Sequence, residues 1–277
     1  MGRRRAPMRF VTGDGVDLYY EIIGTGDRVI LTHGSWGDGN SWAGVVETLA
    51  AGHEVVTWDR RGHSRSGDGT AAGSFQRDAD DLVELAQYLG GLAFLIGSSS
   101  GASIVLKALA GHGADIASGA CVHEADLVGL LDPSVHGGDL GDEPAENPPV
   151  IEMVRAGDAE SAARYFIDEI AVGPGTWHLL PEKSRAGFVT NASTVIDEFD
   201  DVFDPEPVDL ARLDAFGDRL MITRGTESPR LLIAVAEELE RLLPGADHPV
   251  LEGTGHIPYR THPEMWYRVV LDQIRSL

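Results

Sequence analysis

Residues 92–101 read LAFLIGSSSG, an apolar run that passes without a break into Gly97-Ser98-Ser99-Ser100-Gly101 and then into the helical pattern of residues 102–110. A serine between two such glycines, at a strand-to-helix junction, stands on a sharp bend with strained backbone. The glycines let the two elements pass too closely for side chains on either side. Ser99 is therefore the candidate nucleophile. With 34 glycines in the chain the pentapeptide alone is weak evidence, so its surroundings decide the reading.

Working outward, Arg28-Val29-Ile30-Leu31-Thr32 reads as a buried strand that ends in His33-Gly34-Ser35-Trp36. Val55-Val56-Thr57-Trp58 leads into Asp59-Arg60-Arg61-Gly62-His63-Ser64, and Gly253-Thr254-Gly255-His256 follows a strand near Val250. In this order the four segments resemble the α/β-hydrolase superfamily over nearly the whole chain. The resemblance implies an α/β fold: a mostly parallel, doubly wound sheet with a helical cap inserted after the sixth strand.

The chain of 277 residues, 43% of them hydrophobic, is long enough for one large core with an insertion. Residues 18–23 and 28–32 predict an opening hairpin across Gly24-Thr25-Gly26-Asp27, after which strands alternate with helices over 45–51, 78–89 and 102–110. The rhythm breaks between Asp126 and Asp214, where helical patterns over 159–171 and 182–203 predict a cap, and residues 132–149 read as a loop. It resumes with a strand at 220–224, a helix over 229–243, a strand near Val250 and a helix over 263–277. The predicted division is a core of residues 1–125 and 215–277 around an insertion of residues 126–214.

The net charge of −22 would repel nucleic acid and anionic membrane surfaces. No stretch approaches 18 apolar residues, and no apolar segment follows the basic run Arg3-Arg4-Arg5, which reads as a frayed terminus rather than a signal peptide. The single cysteine, Cys121, lies in a core strand, Gly119-Ala120-Cys121-Val122, and reads as a packed thiol. A cytoplasmic enzyme acting on a small molecule is the expectation, without nucleic-acid or membrane partners.

A serine hydroxyl is a poor nucleophile at neutral pH. Acyl transfer needs an imidazole to take its proton and a carboxylate to hold that imidazole in the right tautomer. The resemblance puts the imidazole at His256. It also implies an acid after the strand at 220–224, but there the chain reads Gly225-Thr226-Glu227-Ser228-Pro229, with serine at the acid position. Some members take the acid from the end of the strand that here closes in His123-Glu124-Ala125-Asp126. A carboxylate ending a central apolar strand would be costly to bury without a partner, which favours Glu124, with Glu227 and then Asp126 as alternatives.

The resemblance further implies oxyanion donors in Gly34 and Ser35 of the first loop and in Ser100. Trp36 and Trp177 are expected to line a substrate pocket, while Trp42, Trp58 and Trp266 pack the core and Asp59 ties down its loop. No metal or organic cofactor is expected. The implied activity is hydrolysis of an ester or lactone through an acyl-enzyme. The address of Glu124 and an aromatic in the insertion resemble zearalenone-type lactone hydrolases. General carboxylesterases, cofactor-free haloperoxidases or perhydrolases, and non-hydrolytic small-molecule receptors of this fold are the alternatives. Epoxide hydrolases and dehalogenases of the fold attack with aspartate, so Ser99 argues against both.

Overall fold

The computed structural model describes residues 7–69, 73–132, 149–198 and 208–277. The readings of Arg3-Arg4-Arg5 and of nearly all of the 132–149 loop lie outside them.

Unbroken apolar runs form the middle of the sheet. β5 (Ala93–Ser98) is buried at every position, and β3 (Arg28–Thr32) and β4 (Glu54–Trp58) at all but their first, as parallel strands covered on both faces require. With β1 (Met8–Val11), β2 (Asp17–Gly24), β6 (Ala117–His123), β7 (Leu220–Gly225) and β8 (Val250–Leu251) they lie in the order β1-β2-β4-β3-β5-β6-β7-β8. β1 pairs antiparallel with β2, and β2 with β4, while the remaining pairs are parallel.

That order corrects the expected opening hairpin. β4 lies between β2 and β3, with Tyr20 opposite Trp58 and Val29 opposite Val55. The run Val29-Ile30-Leu31 has no polar face or edge, so β3 takes a partner on each side, its second being β5. Gly24, at φ 85°, lets the connection cross the start of β4, because a Cβ there would lie 2.2 Å from the His53 carbonyl oxygen. The hairpin that forms joins β1 to β2.

Helices cover both faces. α2 (Phe75–Tyr88), α3 (Ser100–Ile116) and α9 (Arg230–Leu242) pack one side through Leu82, Val105, Val235 and Leu239. α1 (Ala43–Leu49) and α11 (Pro263–Ser276) pack the other through Val45, Leu49, Trp266 and Val270, with Tyr259 of α10 (Pro258–Thr261) beside them. Trp42, Trp58 and Trp266 are core residues, as expected, and so is Cys121.

Between β6 and β7 the described helices are α4 (Pro149–Arg155), α5 (Ala159–Tyr165), α6 (Thr176–Leu179), α7 (Glu182–Thr190) and α8 (Leu210–Asp214). Leu213 of α8 joins the sheet-face core, whereas Val150, Ile151, Ala162, Ala163 and Ile167 form a separate apolar cluster that takes in Trp36 from the loop after β3. The single helix expected over 159–171 instead widens into a π-turn at Phe166–Ala171. The one expected over 182–203 is interrupted after Thr190, where the Asn191 side chain donates to the carbonyls of Trp36 and Gly37 (3.1 and 2.7 Å); residues 195–198 are helical again, and 199–203 lie outside the described residues.

The junction of β5 and α3 depends on two glycines. A Cβ at Gly97 would lie 2.2 Å from the Gly101 carbonyl oxygen, and one at Gly101 would lie 2.4 and 2.5 Å from the carbonyls of Thr32 and His33. Gly101→Ala is therefore expected to destabilise the fold by about 1–3 kcal/mol or more, as overpacking against immovable backbone does. Urea unfolding checks this, and an unchanged midpoint contradicts the close approach.

Candidate active site

Ser99 sits between β5 and α3 at φ 59°, ψ −131°, a conformation that a non-glycine residue adopts only when the surrounding structure imposes it. Its N–H is fixed to the His123 carbonyl (2.9 Å), and α3 runs away behind it. The Ser100 N–H, at the first position of that helix, is among the donors a helix leaves without an intrahelical partner.

Glu124 follows the last residue of β6, also at positive φ (48°), and is fully buried. Its backbone N–H bonds the Thr223 carbonyl (3.1 Å), which turns the carboxylate across the end of β7. There Oε1 accepts from the Gly225 N–H and Oε2 from His256 Nδ1, both at 2.7 Å. Burial acts to raise the Glu124 pKa, but neighbouring His123 and the hydrogen bonds from His256 and Gly225 outweigh it and hold it at about 2. The same pairing raises the pKa of buried His256 against its own desolvation. His123 lies 3.6 Å from Glu124 Oε2, bonds Thr223 Oγ1 through Nδ1 (2.9 Å), and is held by burial at a pKa of about 4.

The structure thus brings Glu124 to His256 and leaves Glu227 exposed. Ser228, at the acid position the resemblance implied, is buried with its Oγ unpaired among the described residues. Of possible metal ligands among the described residues, only the donor atoms of His123, Glu124 and His256 converge within 4.8 Å of one another. The 2.7 Å Nδ1···Oε2 contact there has the geometry of a charge-assisted hydrogen bond.

The Ser99 hydroxyl donates to Asp126 Oδ2 (3.2 Å) rather than to His256. Asp126, third among the acids the sequence suggests, takes a role the sequence does not show, since a residue three places beyond a strand end carries no signal of direction. Asp126 is half-buried, and desolvation, with Glu198 and Glu124 nearby, lifts its pKa to about 6 against the pull of His256 and the Ser99 hydroxyl. Apo hydrolytic sites often show such loose arrangements, which tighten when substrate arrives.

Gly34 packs over the nucleophile: a Cβ there would lie 3.0 Å from Ser99 Cβ. Ser35 Oγ donates to Ser100 Oγ (3.0 Å), so two of the three expected oxyanion residues touch through their side chains. Above Ser99 and His256 is a narrow cavity of about 50 Å³, walled by Phe166, Ile167, Val172, Leu180 and Phe188, with Arg260 at its edge. Trp36 and Trp177 do not line it, which corrects their expected place. Trp36 is fully buried and stacked on Phe166 (4.8 Å, 2° between planes), and Trp177, on α6, is buried in the same cluster. Phe166 and Ile167, in the π-turn, line the cavity instead, and Trp36 is stacked on Phe166. Asp59 ties its loop as expected, accepting from the N–H groups of Gly39 and Arg65 and from the Arg65 guanidinium.

Residues 29–269 match the model of the alpha/beta hydrolase family. The chain is 36% identical over 131 residues to the uncharacterized hydrolase YraK of Bacillus subtilis, 46% of each chain, and 27% identical over 172 residues to a non-heme haloperoxidase of Rhodococcus erythropolis, 60% of each. These matches span about half of the relatives' lengths. An esterase from Exiguobacterium antarcticum shares the fold at a TM-score of 0.77 and 20% identity, over 98% of this chain and all of that one.

Asp126 yields a stability prediction. Its carboxyl is held above the free value of 3.8, so the folded protein binds that proton more tightly than the unfolded chain, and stability falls as pH rises from about 4 through 6. Asp126→Asn removes this titration. Its Tm advantage over wild type is expected to grow between about pH 4 and 6 and then level off, as scanning calorimetry would show. A Tm difference independent of pH contradicts the assignment.

Proposed function

The chain belongs to the alpha/beta hydrolase family, and from that premise we propose that it is a serine hydrolase cleaving a small apolar ester or lactone through an acyl-enzyme. The observation that carries this reading is the buried 2.7 Å hydrogen bond from His256 to Glu124 beside the strained Ser99.

In this mechanism the Ser99 hydroxyl turns from Asp126 to His256 Nε2, which takes its proton as Oγ attacks the carbonyl carbon. Glu124, bonded to Nδ1–H, fixes the tautomer and stabilises the imidazolium. The N–H groups of Ser100 and the loop of Gly34 and Ser35 take the developing oxyanion. His256 then protonates the leaving alkoxide, which in a lactone remains tethered as a hydroxyl. Water, deprotonated by His256, releases the acid. Residues 126–214 act as the cap, supplying the apolar wall, and no metal or organic cofactor enters any step. The lactone reading rests on the address of Glu124, and a cytoplasmic site on the single packed cysteine, Cys121.

The named haloperoxidase relative supports a second reading, in which hydrogen peroxide replaces water in the last step and a peracid is released. Product analysis with and without peroxide distinguishes the two, and a receptor would bind ligand without turnover.

On an activated ester, Glu124→Gln is expected to lower kcat by about 10³ to 10⁴, in line with loss of the triad carboxylate elsewhere, and Glu227→Gln by less than about tenfold. Because Glu124 raises the His256 pKa, wild-type kcat should fall as pH drops through a value above the usual histidine range, and the limb should move to lower pH in Glu124→Gln. The reverse ranking of the two variants contradicts the triad.

The cavity of about 50 Å³ is far below the several hundred Å³ of typical drug-sized sites. kcat/KM for p-nitrophenyl esters should therefore fall from acetate to octanoate, and Phe188→Ala should flatten the trend. Equal rates along the wild-type series contradict the assigned wall.

A further inference from the structure

Behind the nucleophile's neighbour lies a guanidinium that the triad does not use. Arg60, in the loop after β4, is 1% exposed. Its Nε donates to Asp78 Oδ2 of α2 (3.0 Å), one terminal nitrogen pairs with Glu198 from the segment between β6 and β7, and the other donates to Ser100 Oγ (3.0 Å). Ser100 Oγ also accepts from Ser35 Oγ (3.0 Å). The Arg60 backbone N–H donates to His33 Nε2 (3.0 Å), and His33 Nδ1 donates to the Gly34 carbonyl (2.9 Å). Burial, then His63 and Arg60, hold the His33 pKa well below the ordinary range, so the ring keeps the neutral tautomer those two bonds require.

Stability does not explain this construction. Removing a guanidinium and two carboxylates from water costs several kcal/mol per ion, which their mutual attraction only roughly offsets, and a well-packed apolar core would do as well. What the ionic cluster adds is direction. Asp78 and Glu198 hold the planar guanidinium from two sides, leaving one arm aimed at the hydroxyl pair, a three-point geometry that an ammonium on a flexible stem cannot reproduce.

We propose that Arg60 is the positioning residue of the oxyanion site: by holding the Ser100 hydroxyl, which in turn accepts from Ser35 Oγ, it sets the separation of the backbone N–H groups these two residues carry. The inference rests on the proposed reading of Ser35 and Ser100 as oxyanion donors. They stand on different pieces of chain, the loop after β3 and the start of α3. Their N–H groups must converge to within about 3 Å of an oxygen that exists only in the transition state, and a misplacement of about 1 Å can cost on the order of 100-fold. Glu198 extends this hold to the segment between β6 and β7, so the packing of that segment bears on the oxyanion site as well as on the substrate wall.

The test uses Ser100→Ala, which removes the hydroxyl but keeps the Ser100 N–H and leaves Arg60 its two carboxylates, with Arg60→Lys as second variant. Hydrolysis of p-nitrophenyl acetate is measured together with inhibition by phenyl trifluoromethyl ketone. Ser99 Oγ adds to that ketone's carbonyl carbon, the serine proton passes to His256, and the carbonyl oxygen becomes an oxyanion. Both variants should lose about 10- to 100-fold in kcat with KM within about threefold, and the inhibition constant should rise by a similar factor. A merely structural role would lower Tm and leave kcat and ketone inhibition near wild type, and that result overturns the proposal. A wild type that neither turns over the ester nor adds the ketone would overturn the hydrolase reading and this inference with it.

Discussion

The hydrogen bond between Glu124 and His256 is the interaction on which the arrangement of this molecule turns. A fully buried carboxylate is tolerated only where partners meet it, and here they come from the end of β7, through the Gly225 N–H, and from the loop after β8, through His256. One side chain thereby joins three strand ends. Three elements that the sheet sets side by side become a single rigid edge, beside which β5 delivers Ser99 in a backbone conformation it would not adopt unaided. Rigidity of this kind suits chemistry that depends on donors already in place when charge develops.

A second set of contacts sets what that edge faces. Trp36 leaves the loop after β3 and lodges among the helices between β6 and β7, stacked on Phe166, while Asn191 ties the end of α7 to the same loop. The loop of Gly34 and Ser35 is thus gripped from above by helices and from below by the Arg60 cluster. Asp126 adds a carboxylate in direct contact with the nucleophile, protonated more readily than a free aspartate because its surroundings partly desolvate it. The proposed mechanism needs the Ser99 hydroxyl to leave this carboxylate for His256.

Much of the fold was legible in the sequence because parallel strands are written as unbroken apolar runs: residues 93–98, 28–32 and 54–58 lie where those runs predict central strands. Gly97 and Gly101 announced a close approach that the structure contains. Pairing was less legible, since the same run of 28–32 suits a hairpin or a central strand until its second edge is counted, and β4 occupies the place the hairpin needed. For the site, residue addresses carried far: Glu124, at a strand end, meets His256, and Glu227, one loop later, faces solvent. What sequence could not convey was side-chain direction. Phe166 faces the cavity while Trp36 is stacked on it, and the convergence of Arg60, Asp78, Glu198 and Ser100 joins positions up to 138 residues apart that share no local pattern.

The central claim, that the Glu124–His256 pair activates Ser99, is tested most directly by the rate of covalent capture. Wild type and Glu124→Gln are treated with a fluorophosphonate, adduct formation is followed by intact mass, and the modified residue is located by peptide mapping. The account predicts a single adduct on Ser99 that forms on the order of 10³ times more slowly in the variant. Equal rates in the two proteins, or an adduct on Ser98 or Ser100 instead, would contradict it.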